Sequence, residues 1–136
     1  MLLVVDANVV LSSLISGGLA DLILSPKLEP IAPERMFIEI RRHKAEALSK
    51  SKLSEIDFEV LLALLESKIR LIPMGEFIGL LPRAEELLGE HKKDAPYVAL
   101  ALNFNCPFWS YEKRFEKIGD VELLTTRDVR LKLSNI

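Results

Sequence analysis

Apolar residues come in two rhythms along this chain, short unbroken runs and stripes at helical spacing. Leu2-Leu3-Val4-Val5 runs straight into Asp6, and Val9-Val10-Leu11 and Leu14-Ile15 follow at once. A short, wholly apolar run ahead of a helix predicts a strand buried on both faces of a parallel sheet. Asp6 then stands at the carboxyl edge of that sheet, where open α/β folds bind ligands. The spacing predicts a helix over residues 8–15, stopped by Gly17-Gly18, and a second short helix over 19–24. Residues 28–32 contain Pro30 and make only a short strand. Pro33 fits the first turn of a helix reaching residue 49, with Met36, Phe37, Ile40, Ala47 and Leu48 on one stripe. Ser54 caps the next helix, Asp57 lies in its first turn, and Val60, Leu61, Leu64 and Leu65 form its core face.

The second half continues the alternation. Residues 69–72 form a strand stopped by Pro73, 74–80 are irregular, and 82–88 form a short helix ended by Gly89. Asp94 opens a helix over 95–103 that is apolar all round and therefore buried. Phe108-Trp109 belongs to a fourth strand, Ser110 caps a helix over 111–118, residues 121–124 form a fifth strand, and the tail is a short helix. Strands separated by helices give an α/β domain, residues 1–136, with a parallel sheet of about five strands covered on both sides. Right-handed crossovers bring the carboxyl ends of the first and fourth strands to one edge.

Composition narrows the class. A chain of 136 residues with 49% hydrophobic content buries a core without staples. Cys106 is the single cysteine, so no intrachain disulfide forms, and His43 and His91 are too far apart in sequence for a zinc pattern. No run approaches the ~18 apolar residues of a membrane span. These features predict a cytoplasmic protein with no membrane association. The net charge of −2 argues mildly against nucleic-acid binding. Positive charge is nonetheless grouped, at Arg41, Arg42, His43, Lys44, Lys50 and Lys52, at His91, Lys92 and Lys93, and at Lys113, Arg114 and Lys117. Taken singly, such groups read as solvated helix faces.

Four carboxylates are candidates for chemistry. Asp6 follows the first strand and either caps a helix or binds a ligand. Glu39 lies beside the apolar stripe of its helix and on its own reads as a solvated partner of Arg42 or His43. Asp94 carries a helix-cap signature, Asp-Ala-Pro, on a helix rigid enough to aim it. Glu112 follows the fourth strand, where it favours the positive end of its own helix. Brought to one sheet edge, these acids repel one another and raise each other's pKa. A divalent cation removes the conflict. Hard oxygen ligands select Mg²⁺ or Mn²⁺, which bind phosphate oxygens and acidify bound water.

The motifs around these acids resemble those of the PIN domain (PilT N-terminal) nuclease family, which includes the VapC-like toxins. Leu3-Val4-Val5-Asp6-Ala7-Asn8-Val9 is similar to the family's opening strand and Asp-x-Asn. Glu39 matches its second acid, and Lys93-Asp94-Ala95-Pro96-Tyr97-Val98-Ala99-Leu100-Ala101 its third motif. Trp109-Ser110-Tyr111-Glu112-Lys113-Arg114-Phe115 is similar to the fourth, with Glu112 where the family usually carries Asp. Asp128 is a rival for that fourth place. The resemblance implies a three-layer α/β/α sandwich and a metal-dependent ribonuclease. In it Asp6, Glu39, Asp94 and Glu112 would hold Mg²⁺ or Mn²⁺, and Asn8 and Ser110 would orient the carboxylates. Arg42, Lys93 and Lys113 would meet the RNA backbone. It also implies a homodimer and a possible antitoxin partner. The alternative is a PIN-like module that binds RNA or a protein and cleaves nothing. A haloacid-dehalogenase-type phosphatase needs an acid where Asn8 stands, and a phosphoacceptor receiver needs an acid pair and a lysine that this chain lacks at those places.

Overall fold

The computed structural model describes residues 1–16, 18–111 and 117–136. Its strands are β1 (Leu2–Val5), β2 (Glu29–Pro33), β3 (Arg70–Ile72), β4 (Phe108–Trp109), β5 (Lys117–Ile118) and β6 (Val121–Leu124). Its helices are α1 (Ala7–Ser16), α2 (Ala20–Ile23), α3 (Met36–Arg42), α4 (Lys44–Lys50), α5 (Glu55–Lys68), α6 (Leu81–Leu88), α7 (Ala95–Phe104) and α8 (Thr126–Ser134). The sheet order is β3-β2-β1-β4-β6-β5, with every pairing parallel except the antiparallel β5–β6 edge. This is the expected three-layer α/β/α arrangement. In β1, Leu3, Val4 and Val5 are fully buried, as a central strand covered by helices on both faces requires. Helix α7 packs on β1, β2, β4 and β6 with α6 against it, while α1 packs with α3, α4 and α5. The all-round apolar α7 is buried from Tyr97 to Ala101, and it ends at Asn105 in the left-handed conformation (φ 50°).

Four sequence expectations are corrected. Pro33 does not start a helix; it ends β2 and pairs with Ile72. Two prolines fit in this interior strand because of where their nitrogens point. Glu29 N–H donates to Met1 on the β1 side and Glu34 N–H to Ile72 on the β3 side. By alternation Pro30 faces β3 before β3 begins, and Pro33 faces β1 beyond the last β1 pair, Val4↔Ile31. Neither interrupts a strand pair, and Pro33, which has no N–H to donate, marks the end of the ladder with β1.

The helix expected to reach residue 49 is broken at His43 (φ −103°, ψ 11°) into α3 and α4, with no proline or glycine to mark the place. The core face of α5 is also rotated. Phe58, Leu62 and Leu65 are buried, whereas Val60 and Leu64 are exposed. This helix has apolar residues nearly all round, so two stripes compete, and the one carrying the bulky Phe58 buries more area. Finally, Lys117 and Ile118 do not end a helix. They form β5, joined to β6 by Gly119-Asp120 with Gly119 at φ +60°, a left-handed angle that glycine adopts freely.

Candidate active site

The sheet reverses its direction of growth at its centre. From β1 the chain builds outward through β2 to β3, and β4 and β6 are added on the opposite side. Ligands of open α/β sheets bind at such a switch point, outside the carboxyl ends of the strands. Asp6 follows β1 there and Ser110 follows β4. Each is held by the continuing ladder, since Asp6 N–H donates to the Trp109 carbonyl (3.1 Å) and Ser110 N–H to that of Leu124 (3.2 Å).

The two side chains meet. Ser110 Oγ donates to Asp6 Oδ2 at 3.3 Å, and Asn8 N–H approaches Asp6 Oδ1 at 3.4 Å. Both contacts are long, so any helix-capping role of Asp6 is weak and the Ser110 hydroxyl holds it only loosely. Asp6 is only 6% exposed. Burial first, and then the charge of Asp94, push its carboxyl up to about 6, while the N–H groups of Asn8 and Ala7 and the Ser110 hydroxyl pull the other way.

Asp94 occupies the residue before α7, as its motif predicts, but its side chain makes no capping bond to that helix. The cause is local. Lys92–Asp94 forms a 3-10 turn that leaves Asp94 at φ −93°, ψ 6°, outside the extended backbone from which a cap side chain folds back. Glu39, exposed on α3, completes a set of three acids around one cleft of about 550 Å³. Asn8, Ser110, Arg42 and Lys93 border the same space. Glu112 and Lys113 lie outside the described residues.

Asp128 is elsewhere and occupied. Its carboxylate accepts the Thr125 N–H at 2.9 Å while the Thr125 hydroxyl accepts its own N–H, a reciprocal cap that starts α8 and lowers the Asp128 pKa. Arg41 and Lys44 are ion-paired across helices to Glu66 and Glu59, and Lys50 to Glu46 on its own helix, so these basic residues are surface partners rather than cleft groups. Among the described residues neither Asp6 nor Glu39 joins an ion pair.

The sequence profile of the PIN domain matches residues 4–134. The chain belongs to the PIN-domain family. PIN domains are generally nucleases, and a cleft of carboxylates at a sheet's switch point is suited to that chemistry. No curated protein gives a significant match to this PIN domain.

Its donor set is oxygen only, which fits a hard dication rather than a soft one. Among the described residues no group of three His, Cys, Asp or Glu side chains closes around a single point. Mg²⁺ is commonly held by one or two carboxylates together with its own waters, and the buried Asp6 beside Asp94 offers that pair. One further residue of the cleft was not singled out from the sequence. Tyr97, one helical turn after Asp94, lines the cleft, and its ring stacks on Phe108 (centroids 5.6 Å, planes 13° apart). Burial and the charges of Glu39, Asp6 and Asp94 push its phenol far above the usual range, so it stays protonated. Its spacing of three from Asp94 on a helix was the available signal.

Proposed function

We propose that this PIN domain hydrolyses phosphodiester bonds of RNA with Mg²⁺ or Mn²⁺ held by Asp6 and Asp94, with Glu39 beside them. The observation that carries this reading is the Asp6 carboxylate at the cleft, whose ionised form is disfavoured first by burial and then by the charge of Asp94. A bound dication supplies counter-charge for phosphate oxygens and a bound water of lowered pKa. The chain's own groups do the rest. Ser110 orients the Asp6 carboxylate by donating to Oδ2. Arg42 and Lys93 border the cleft and attract the strand's phosphates. Glu112 enters this reading on its motif alone. The test is cleavage of single-stranded RNA in Mn²⁺ or Mg²⁺ by the parent and by Asp6→Asn. Activity in the parent that disappears in the variant supports the proposal. Activity that survives, or absence from both, rejects it and leaves the non-cleaving binding module.

The wider role, a cytoplasmic and homodimeric toxin paired with an antitoxin, rests on the family likeness. One surface feature supports self-association: Ile56, Val60 and Leu64 form an exposed apolar stripe on α5. A dimer in sedimentation that Val60→Glu dissociates is the expected result, and a monomeric parent would remove that part of the proposal. Among the described residues no helix is long and apolar enough to cross a membrane.

A further inference from the structure

A second cavity of about 140 Å³ lies beside the acid cleft and shares Glu39, Lys93 and Tyr97 with it. Ligand sites for drug-sized molecules run to roughly 300–1,000 Å³. This one admits about a single ring system. Its lining is largely apolar, with Met36, Phe77, Pro96 and Met74, and the polar groups it does not share with the acid cleft are Glu34 and Arg35. Glu34 Oε1 accepts the Met74 N–H at 3.4 Å, so the end of β2 is tied to the turn that walls the cavity.

We propose that this cavity takes one nucleobase of the strand being cleaved, and that Glu34 and Arg35 read the edge of that base. The inference rests on the reading of the acid cleft as a phosphodiester site. The two spaces share a wall, so a strand that places a phosphate at Asp6 and Asp94 presents an adjoining base to the cavity. Apolar and aromatic side chains accept the flat face of any base. Hydrogen bonds to its edge then decide which base. A carboxylate accepts from an exocyclic amino group, and a guanidinium donates to a ring carbonyl. Guanine and cytosine carry both groups. Adenine lacks the carbonyl and uracil lacks the amino group. The cavity therefore selects guanine or cytosine next to the scissile phosphate.

The test is fluorescence anisotropy of labelled RNA hexamers of cytidine, uridine and adenosine, and of an abasic hexamer, with the full chain in EDTA. Nothing is cut under these conditions, and all four probes share one backbone, so repulsion by the acids cancels in the ratios. The parent should bind the cytidine hexamer roughly ten-fold more tightly than the abasic one, with uridine and adenosine between them. Met74→Trp, which fills the cavity, should bring all four together. Arg35→Ala alters an exposed residue and should remove the advantage of cytidine over adenosine without a folding defect. Equal binding of the cytidine and abasic hexamers by the parent, no binding of any probe, or an advantage untouched by both substitutions overturns the proposal. Metal-dependent cleavage with no base preference would sink the cavity alone. A base preference without cleavage would sink the nuclease reading and leave the cavity.

Discussion

Asp94 and Asp128 both stand at the start of a helix, Asp94 as the residue before α7 and Asp128 in the first turn of α8, and their surroundings are opposite. Asp128 folds back onto Thr125, accepts its N–H, and is held below the usual carboxylate range. Asp94 makes no cap for α7, and its charge adds to burial in raising the carboxyl of Asp6. The α8 start is built for stability. The cleft at the start of α7 and α1 accepts electrostatic strain, and a cation would relieve it. An aspartate at a helix start is thus a fold-stabilising group in one case and, in the proposed function, a chemical one in the other. What separates them is their position and the backbone of the residue that precedes each helix, extended at Thr125 before α8 (ψ 169°) and a 3-10 turn at Asp94 before α7 (ψ 6°).

Substitutions sharpen the contrast. The largest effect is expected at the cleft. Asp94→Asn should lower RNA cleavage by more than about 100-fold, beyond the ~10–100-fold typical of lost supporting groups around a metal. Asp128→Asn should leave cleavage unchanged, and equal losses in an initial-rate assay would erase the distinction. Ser110→Ala comes next. It removes the hydroxyl that orients Asp6, and a loss of roughly ten-fold is expected in the same assay. On the structural side, Asp128→Ala should cost about 1 kcal/mol. For a chain of this size that is a fall of about 4 °C in the melting temperature, read by circular dichroism.

The last contrast is in pH dependence, and here the two sites have opposite signs. The Asp6 carboxyl is raised from 3.8 to about 6 in the fold. Between those values the folded chain holds the proton and the unfolded chain has lost it, so this group makes stability fall as pH rises from 3.8 to about 6. Asp128 is lowered below 3.8. Its contribution is present above that value and is lost as pH falls through the folded pKa. Urea titrations at stepped pH in EDTA should show Asp6→Asn flattening the slope between 4 and 6, and Asp128→Asn flattening the acid limb. A single shared slope for both variants would contradict the assignment.

Much of this was legible in the residues. The apolar run before Asp6 specifies a central strand because only burial on both faces suits four such side chains in a row. The paired positions of Asp6 and Ser110 follow from two parallel strands that must be neighbours. The all-round apolar α7 announces its own burial. Other features depend on competition that a one-dimensional pattern does not resolve. Helix α5 carries two apolar stripes, and the choice between them is made by the surface against which Phe58 packs. Pro33 suits a helix start or a strand end equally well, and the register of β2 between two neighbours decides. Asp94 looks like a cap in sequence, and the 3-10 turn that prevents it is set by how residues 92–94 enter α7. The 74–77 turn that walls the second cavity carries no motif, and its importance emerges only from its place beside Glu39 and Tyr97.

The central claim is that crowding of Asp6 against Asp94 is relieved by a dication. Thermal melting with and without Mn²⁺ near pH 7.5 tests it most directly, with Asp6→Asn as the comparison. The parent should be stabilised by the ion, by about 2.7 kcal/mol at a concentration 100 times the dissociation constant. Asp6→Asn should melt higher than the parent in EDTA and gain little from Mn²⁺. A parent that does not respond to the ion, or a variant that responds equally, would contradict the account.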